Sequence, residues 1–465
     1  MEHPSQDRKI APEPPMAGRL GLIAACAAAA CLTVFAARAY TGTPTGNGIG
    51  ETLPLFLALL AGAWYFAAKG LRFGRRDMLI AAGILLAGMA LRVYLLPGES
   101  QDYDWFLKVW VQQFRDEGIR GFEQNRANYN VLYLYFLYGI SKLPAGDLAL
   151  IKLLSVIGDA ALALAGARLA VRLTGERRRS AVYLAALAGF WFLPMFWLNS
   201  AWWAQCDSLY GALCLIALLL ALEGRPAWSV AMASLAFAFK LQAVFFLPIY
   251  AVLLMAQKVK LRHALIFPAV TAAVTLPALL AGMPPDRALG VYYQQAVIYN
   301  NRLEWNASSV FGMLQRGIDE TAVASAANAG IAAAFGFMLI VWAVAWLNRK
   351  RLDDRMLTYI AFLLCLGIPY LLPHMHDRYF YTADALVILI VLCRPKRWPV
   401  ALMVWVGSYA GYHAYIVRRY LMFARYGMGA PALVMGLGLA AAAGLWIWDL
   451  RRAKTTGNGQ IPARK

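Results

Sequence analysis

Long apolar runs, each close to the length of a membrane-spanning helix, follow one another along nearly the whole chain. A helix needs roughly 20 mainly apolar residues to cross the hydrocarbon core of a bilayer, and about fourteen runs approach that length. They are residues 18–38, 52–69, 77–97, 147–172, 180–198, 207–223, 227–241, 243–257, 263–282, 324–347, 355–372, 380–394, 398–416 and 430–450. The pattern predicts an all-α fold, a polytopic transmembrane helical bundle.

Polar segments flank the bundle and interrupt it. Residues 1–17 are polar and Pro-rich, which predicts a disordered cytoplasmic tail. Residues 453–465 form a second predicted cytoplasmic tail, so that the membrane domain occupies residues 18–452. Within it, the two longest polar interruptions predict external loops at 98–146 and 283–323.

The first external loop is expected to carry amphipathic helices. Trp105, Val109, Phe114 and Ile119 alternate with charged and amide side chains, a pattern that favours a helix lying in the membrane interface. The apolar segment 131–143 is short for a span, and it is expected to stay outside the membrane.

Charge gives the bundle an orientation. Hydrophobic residues make up 61% of the chain and charged residues 15%, against about 25% charged residues in a soluble domain. The formal net charge is +19, and basic residues concentrate in short loops between spans, which predicts that these loops are cytoplasmic. The basic clusters are Lys69–Arg76, Arg177–Arg179, Lys258–Arg262, Arg349–Arg351, Arg394–Arg397 and Arg451–Lys454. The pattern predicts a multi-pass protein of the inner (plasma) membrane, and nucleic acid is not an expected partner.

With this orientation, four polar groupings fall on the non-cytoplasmic side of the membrane. Ionisable groups at a membrane boundary are costly to place and are often functional. The groupings are Gln101-Asp102-Tyr103-Asp104-Trp105, the segment from Asn199 to Asp207, Lys240 with Gln242, and His374-Met375-His376-Asp377-Arg378-Tyr379.

Each grouping also has a structural interpretation. Asp102 and Asp104 fit solvated carboxylates at a helix start, where the helix dipole favours them. Trp202 and Trp203 fit interfacial belt residues, and Lys240 fits a side chain that extends to the headgroups.

The grouping from His374 to Tyr379 also allows more than one interpretation. His374 and His376 could suggest a metal, but a hydrogen-bonding role is favoured because no other histidine is near in sequence. Arg378 beside Asp377 fits a structural pair.

Taken together, the groupings form one chemical set. A single external carboxylate can accept the proton of an acceptor hydroxyl. Arg378, Lys240 and a protonated His376 can hold a phosphate leaving group. Sugar transfer from a lipid phosphate carrier at the membrane boundary requires these groups.

The same residues resemble motifs of the GT-C superfamily of integral-membrane glycosyltransferases, in particular of bacterial proteins related to the second mannosyltransferase of GPI-anchor synthesis. The likeness spans roughly residues 100–395. The matching motifs are Asp102-Tyr103-Asp104-Trp105, Asn199-Ser200 with Trp203-Ala204-Gln205-Cys206-Asp207, Lys240-Leu241-Gln242, and Met375-His376-Asp377-Arg378-Tyr379.

The chain departs from the family pattern at three places. Tyr129-Asn130-Val131-Leu132 lacks the two prolines that usually stand between its ends. Ala204 replaces a glycine, and Asp377 replaces a glutamate. These departures put the shape of the loop, and catalytic competence itself, in question.

The resemblance implies an inverting transfer of a sugar, with mannose as the first candidate, from a polyprenyl phosphate donor to a lipid, glycan or protein acceptor. It implies Asp102 as the base and Asp104 as the residue that orients it or a sugar hydroxyl. The implied donor-phosphate residues are Arg378, His376, Lys240, His374 and Tyr379, and the implied sugar or acceptor residues are Trp203, Gln205, Asp207, Gln242 and Asp377. Membrane lipids are expected partners, and neither a metal nor another cofactor is expected.

Two other classes of function remain open from the sequence. A flippase or transporter of lipid-linked sugars would share the spans and the charged groups, although transporter sites usually lie near the bilayer midplane. A non-catalytic membrane scaffold would explain the departures from the motifs.

Overall fold

The computed structural model describes residues 73–124, 127–144, 146–175, 179–297, 302–314, 317–422 and 427–455. In these ranges the chain is almost entirely helical, with seventeen α-helices and one pair of two-residue strands. The fold class predicted from the sequence, an all-α bundle, is confirmed at that level.

The helices mostly occupy the apolar runs and otherwise lie in the two predicted external loops. They are α1 Arg75–Leu95, α2 Lys108–Glu117, α3 Val131–Ser141, α4 Asp147–Thr174, α5 Arg179–Phe192, α6 Pro194–Trp197, α7 Asp207–Leu222, α8 Pro226–Phe239, α9 Ile249–Met255, α10 Ile266–Leu280, α11 Pro285–Val297, α12 Val310–Leu314, α13 Val323–Leu347, α14 Asp354–Leu371, α15 Tyr381–Cys393, α16 Trp398–Val417 and α17 Gly429–Thr455. The strands β1 Glu304–Trp305 and β2 Met375–His376 pair in parallel. The π-helical turn Tyr103–Leu107 directly precedes α2, and the π-helical turn Leu198–Trp202 directly follows α6.

Seven helical segments of the described residues are long and apolar enough to cross a membrane. They are Arg75–Leu95, Asp147–Thr174, Leu261–Leu280, Glu320–Leu347, Asp354–Leu371, Pro395–Val417 and Gly429–Arg452. A bent pair, α5 with Pro194–Trp202, makes eight if it counts as one span, with a bend of 47°. The protein is therefore a membrane protein, but the predicted number of fourteen spans is not confirmed.

The difference has a physical reason. The predicted spans 18–38 and 52–69 lie outside the described residues, and the other twelve each overlap a helix. Four of these twelve are helical segments of only 13 to 16 residues: α7, α8, α15 and Leu241–Met255. All four begin or end beside Asp207, Lys240 or the turn that follows β2. Each of these helical segments is within two residues of the length of its apolar run, so the runs themselves are shorter than the roughly 20 residues of a full span.

The amphipathic pattern in the first external loop is divided between two faces. Trp105, Val109 and Ile119 are exposed, whereas Phe114 is buried against Phe122 and Tyr138. The expected single apolar face is not confirmed, since Phe114 packs inward. Membrane contact by the three exposed residues stays a prediction.

Helix α4 is, after α14, the most buried of the seven candidate spans, and α5, α7 and α15 pack around it. Gly158 permits its close approach to α7, because a Cβ at this position would lie 2.4 Å from Ser208 Oγ. Small residues at helix contacts are how membrane helices gain packing energy, since lipid supplies no hydrophobic driving force between them.

A buried ion pair ties α4 to α1. Arg92 Nε lies 2.8 Å from Asp159 Oδ2, and neither side chain is exposed. The same carboxylate oxygen accepts a 2.5 Å hydrogen bond from Ser200 Oγ, on the second π-helical turn. The Arg92 guanidinium also lies 3.8 Å from the ring centre of Trp191. The pair therefore fixes the segment that leads into the polar groupings.

Lys152 performs a similar task at the end of α1. Its buried ammonium donates to the carbonyl oxygens of Leu95, Leu96 and Gly98, at a helix end where carbonyl groups lack intrahelical partners. A cation at this end is also favoured by the helix dipole. The start of the first external loop is thereby held against α4.

One end of the bundle gathers the basic clusters. Arg172 and Lys258 both pair with Asp354, at 2.7 and 2.8 Å. Arg394 and Arg397 both pair with Asp449, at 2.9 and 2.5 Å. Asp354 begins α14, whose other end leads to the His374–Tyr379 grouping, and Arg394 follows α15, which begins just after the same grouping.

Replacement of Arg92 by Met should destabilise the protein by about 3–5 kcal/mol, because it leaves the Asp159 carboxylate buried without its counter-ion. Thermal unfolding in detergent would measure the loss. The double variant Arg92→Met with Asp159→Leu should recover most of it, since replacing both charges of a buried pair with apolar groups is often neutral. A double variant no more stable than the single one would contradict this account.

Candidate functional site

A cavity of about 260 Å³ opens where three of the polar groupings meet. Its walls come from the first external loop, the segment after α6, the strand β1, the turn after β2 and the C-terminal end of α16. The lining residues are Gln101, Asp102, Trp105, Phe106, Leu107, Trp110, Asn128, Tyr129, Gln205, Trp305, Asn306, His376, Asp377, Arg378 and Tyr415.

Asp102 is held in the wall by hydrogen bonds to both carboxylate oxygens. Oδ2 accepts from Trp203 Nε1 at 2.9 Å and from Gln205 Nε2 at 2.6 Å. Oδ1 accepts from the hydroxyl of Tyr415 at 2.9 Å. Three donors from two distant segments fix the orientation of this carboxylate, which is only partly buried.

Gln205 links the cavity wall to the residues behind it. Its side-chain oxygen accepts from the Tyr129 hydroxyl at 2.9 Å and from Lys240 Nζ at 3.1 Å. Those two donors fix the amide orientation, so that the amide nitrogen points at Asp102. The orientation of the Asp102 carboxylate therefore depends on Lys240 through the side chain of Gln205.

The residue before Gln205 has an unusual backbone conformation. Ala204 has a φ of 65°, in the left-handed region, which disfavours residues with a side chain by roughly 1–2 kcal/mol. Ala204 is completely buried. Alanine at this position therefore retains the turn at the expense of backbone strain.

Asp207 is the centre of a buried charge cluster behind the cavity. Lys240 Nζ lies 2.5 Å from its Oδ1, and Asn199 Nδ2 donates to its Oδ2 at 2.7 Å. Arg378 Nε is 3.6 Å from the same Oδ2. The cluster joins the start of α7, the end of α8 and the turn after β2.

The cationic side of the cavity is Arg378. Its guanidinium lies 4.9 Å from the ring centre of Trp203 and 3.4 Å from Asp377 Oδ1. Burial tends to lower the pKa of Arg378, but the carboxyl groups of Asp102, Asp377 and Asp207 outweigh it and raise the pKa well above its usual value. Arg378 is therefore a permanent cation that acts on Asp102 electrostatically.

Burial shifts the pKa values of Asp377 and His376 in opposite directions. It raises the pKa of Asp377 to about 8, although the Arg378 guanidinium opposes the shift. It lowers the pKa of His376 well below the usual range, and Arg378 and Lys240 lower it further. Burial and the two cations therefore favour the neutral imidazole of His376.

The short strands hold these residues in place. The ring of His376 stacks on Trp305 with 5.7 Å between centroids and 6° between planes. The main-chain nitrogen of Asp377 donates to the carbonyl of Trp305 at 3.0 Å. The second external loop thus supplies one wall of the cavity.

Five of the twelve residues singled out from the sequence line the cavity: Asp102, Gln205, His376, Asp377 and Arg378. Trp203, Asp207 and Lys240 lie behind it and contact the lining residues. Lys240 is therefore placed to support Gln205 and Asp207, whereas direct phosphate contact was expected.

The other four residues have different surroundings. Asp104 is exposed and does not line the cavity. His374 Nδ1 lies 2.5 Å from the carbonyl oxygen of Arg302. Tyr379 packs its ring against His376 and Phe245. Gln242 is buried in the turn after Lys240, outside the lining.

Sequence reasoning missed Tyr415 and Asn306 as site residues. Tyr415 lies in an apolar run that was read as an ordinary span, and its bond to Asp102 joins residues 313 positions apart. Tyr129 was noted only as the end of a motif, yet it donates to Gln205. Tyr412 and Tyr415, three residues apart on one helix, were the available signal, although aromatic residues at a helix end also fit the membrane interface.

The buried carboxyl group of Asp377 should make stability depend on pH. Because its pKa rises from 3.8 to about 8 on folding, the native state holds this proton more tightly than the unfolded state, and stability falls as pH rises between these values. Asp377→Asn mimics the protonated form, so that the melting temperature of the wild type should fall relative to that of the variant from pH 4 to pH 8.

Asp286→Asn is the matched control, since Asp286 is an exposed carboxylate on α11. Its melting temperature should follow that of the wild type at every pH. A constant difference between the wild type and Asp377→Asn over this range would contradict the prediction.

Comparison with known proteins bears on this geometry. No curated protein matches the chain. The sequence pattern that defines glycosyltransferase family 87 matches residues 127–369, more than half of the chain. The matched part contains Gln205, Asp207 and Lys240, while Asp102 and Arg378 lie on either side of it. This membrane protein therefore belongs to glycosyltransferase family 87.

Proposed function

We propose that this protein is an inverting glycosyltransferase that moves a sugar from a polyprenyl phosphate carrier to an acceptor on the non-cytoplasmic face of the inner membrane. The observation that carries the proposal is the shared cavity, which has the carboxylate of Asp102 in one wall and the guanidinium of Arg378 in another. A base and a phosphate-binding cation are the two groups that this reaction needs.

Asp102 is the proposed base. The acceptor hydroxyl attacks the anomeric carbon, its proton passes to the Asp102 carboxylate, and the bond from that carbon to the phosphate oxygen breaks. The phosphate leaves with the electron pair, so a single carboxylate suffices and no separate acid is required. Attack opposite the leaving group inverts the configuration.

Arg378 and His376 are the proposed phosphate-binding residues. Arginine recognises phosphate through paired, charge-assisted hydrogen bonds, and Arg378 lines the cavity. A phosphate would counter the cations that lower the pKa of His376. Its imidazole would then contribute a hydrogen bond or a charge as the leaving group develops.

The remaining cavity walls favour a sugar ring. Trp105, Trp110, Tyr129 and Trp305 are aromatic lining residues, and Gln101, Asn128 and Asn306 add polar side chains among them. A few polar groups within an apolar wall are typical of specific small-molecule sites. Mannose is the first sugar to test, on the resemblance to mannosyltransferases, and the acceptor is a lipid, glycan or protein.

The orientation rests on the ends of the bundle. The cavity lies at the helix ends opposite to those that carry Arg172, Arg394 and Arg397. Basic residues concentrate on the cytoplasmic side of membrane proteins. The proposal therefore places the cavity on the periplasmic or extracellular side, where lipid-linked sugars with their carrier in the membrane can reach it.

Asp102→Asn should lower turnover by roughly 10²–10⁴-fold, because general base catalysis contributes about that much. Transfer of label from a panel of polyprenyl phosphate sugars, beginning with mannose, to source-membrane acceptors measures the loss. Asp104→Asn is the matched control. Its side chain is exposed outside the cavity, and its activity should stay within about twofold of the wild type, as expected for a surface substitution.

Two outcomes would overturn the proposal. Equal activity of Asp102→Asn and the wild type would remove Asp102 from the role of base. A wild-type protein that binds these lipids but transfers no label, and instead moves them across the bilayer of a vesicle, would be a flippase.

Tyr415→Phe tests the positioning of the base. The variant keeps the ring that stacks on Trp203 at 3.8 Å and loses only the hydroxyl bonded to Asp102. A misplacement of about 1 Å can lower the rate by roughly 100-fold, so kcat should fall by roughly 10–100-fold, with little change in donor KM. The loss of a hydrogen bond to a charged group, about 1.5–3 kcal/mol, should also lower the melting temperature. Tyr409→Phe, on the same helix but outside the cavity lining, should leave kcat unchanged. A larger change in donor KM than in kcat would place Tyr415 in substrate binding.

A further inference from the structure

A second cavity, of about 320 Å³, lies between α8, α9 and the start of α10. It is lined by Val230, Ala233, Leu247, Tyr250, Ala251, Leu254, Val259, Lys260, Leu261, Ala264 and Phe267. Lys260 is the single charged residue of this lining. The hydroxyl of Tyr250 is bonded to Ser229 at 2.8 Å, so even the tyrosine presents an apolar surface.

The cavity is at the end of the bundle opposite to the candidate active site. Val230 is in the first half of α8 and Ala233 is near its middle, and the C-terminal end of this helix leads to Lys240. Lys258, beside the cavity, pairs with Asp354 at the end that gathers the basic clusters. The two cavities are thus separate, and this one belongs to the predicted cytoplasmic side.

The surroundings indicate what occupies it. The segment Leu261–Leu280 is the least buried of the seven long spans, with 11% of its apolar window inside the protein. Leu261 and Leu265 are both 74% exposed. This side of the bundle therefore faces lipid, and an apolar cavity of this kind stays dry. A hydrocarbon chain is the ligand that fits it.

The basic residues beside the cavity favour lipids with an anionic headgroup. Lys260 and Arg262 are exposed next to the cavity and are two residues apart. Neither is among the ion pairs that join the basic clusters to Asp354 and Asp449. Basic residues close to a membrane surface attract anionic headgroups by about 1 kcal/mol each.

We infer that this cavity binds one anionic phospholipid of the leaflet that faces the basic end of the bundle, with an acyl chain inside and the phosphate against Lys260 and Arg262. The bound lipid braces the helix break that carries Lys240, since Val230 and Ala233 precede that break and Leu247 follows it. The inference does not depend on the proposed transferase reaction.

Native mass spectrometry of the full chain, titrated with dioleoyl phosphatidylglycerol or dioleoyl phosphatidylcholine, tests the inference. The wild type should retain one phosphatidylglycerol at least tenfold more tightly than phosphatidylcholine, and this lipid should raise the melting temperature. Ala251→Phe and Ala264→Phe fill the cavity from opposite walls, and each should abolish retention of the tightly bound lipid. Lys260→Gln with Arg262→Gln should remove the preference for the anionic headgroup.

Matched controls separate this site from the surrounding lipid. Ala269→Phe places the same bulk on α10 outside the lining, and Lys350→Gln removes an exposed charge at the same end of the bundle. Both should bind as the wild type does. Equal retention of the two lipids by the wild type would overturn the inference. So would loss of binding in the charge variant with unchanged binding in both folded Phe variants, since that would mean attraction to the surface without a seated chain.

Discussion

The buried carboxylate of Asp207 is the contact on which the arrangement of the site depends. It lies 2.5 Å from Lys240 Nζ and 3.6 Å from Arg378 Nε, and it is almost completely buried. A charge in this environment is tolerated only with partners close at hand, and loss of one partner leaves the others uncompensated. One residue thereby fixes three chain segments that are far apart in sequence, and the position of Gln205 and then of Asp102 follows from them.

The site also depends on breaks in regular structure. A π-helical turn ends at Trp202, Ala204 takes a left-handed conformation, and α8 ends just before Lys240. Irregular backbone at membrane depth is tolerated only where it is buried in protein or lines a cavity. The breaks and the polar side chains therefore require each other, because the side chains and the cavity give the freed backbone groups partners other than lipid.

Two buried cations away from the cavity support these breaks. Arg92 holds Asp159, which binds Ser200 on the π-helical turn, and Lys152 closes the end of α1 just before Asp102. Neither stood out in the sequence, since a single Arg or Lys within an apolar run gives no indication of its partner. Their roles are structural, and they explain how a partly buried carboxylate can be held by donors from distant helices.

The sequence by itself determined the helical class, the overlap of each described apolar run with a helix, and the short motifs that contain Asp102, Gln205 and Arg378. In a membrane these features are local, since a helix satisfies its own hydrogen bonds and its apolar length is written in consecutive residues. The meeting of Asp207, Lys240 and the turn after β2 inside the bundle was not local, because these segments are far apart in the chain. The tertiary structure decided that Tyr415 bonds to Asp102, 313 positions away in the chain. It also decided that Lys240 lies behind the cavity and that Asp104 is exposed. Each of these outcomes depends on which helix faces which, and that is decided by packing and by the pairing of buried charges.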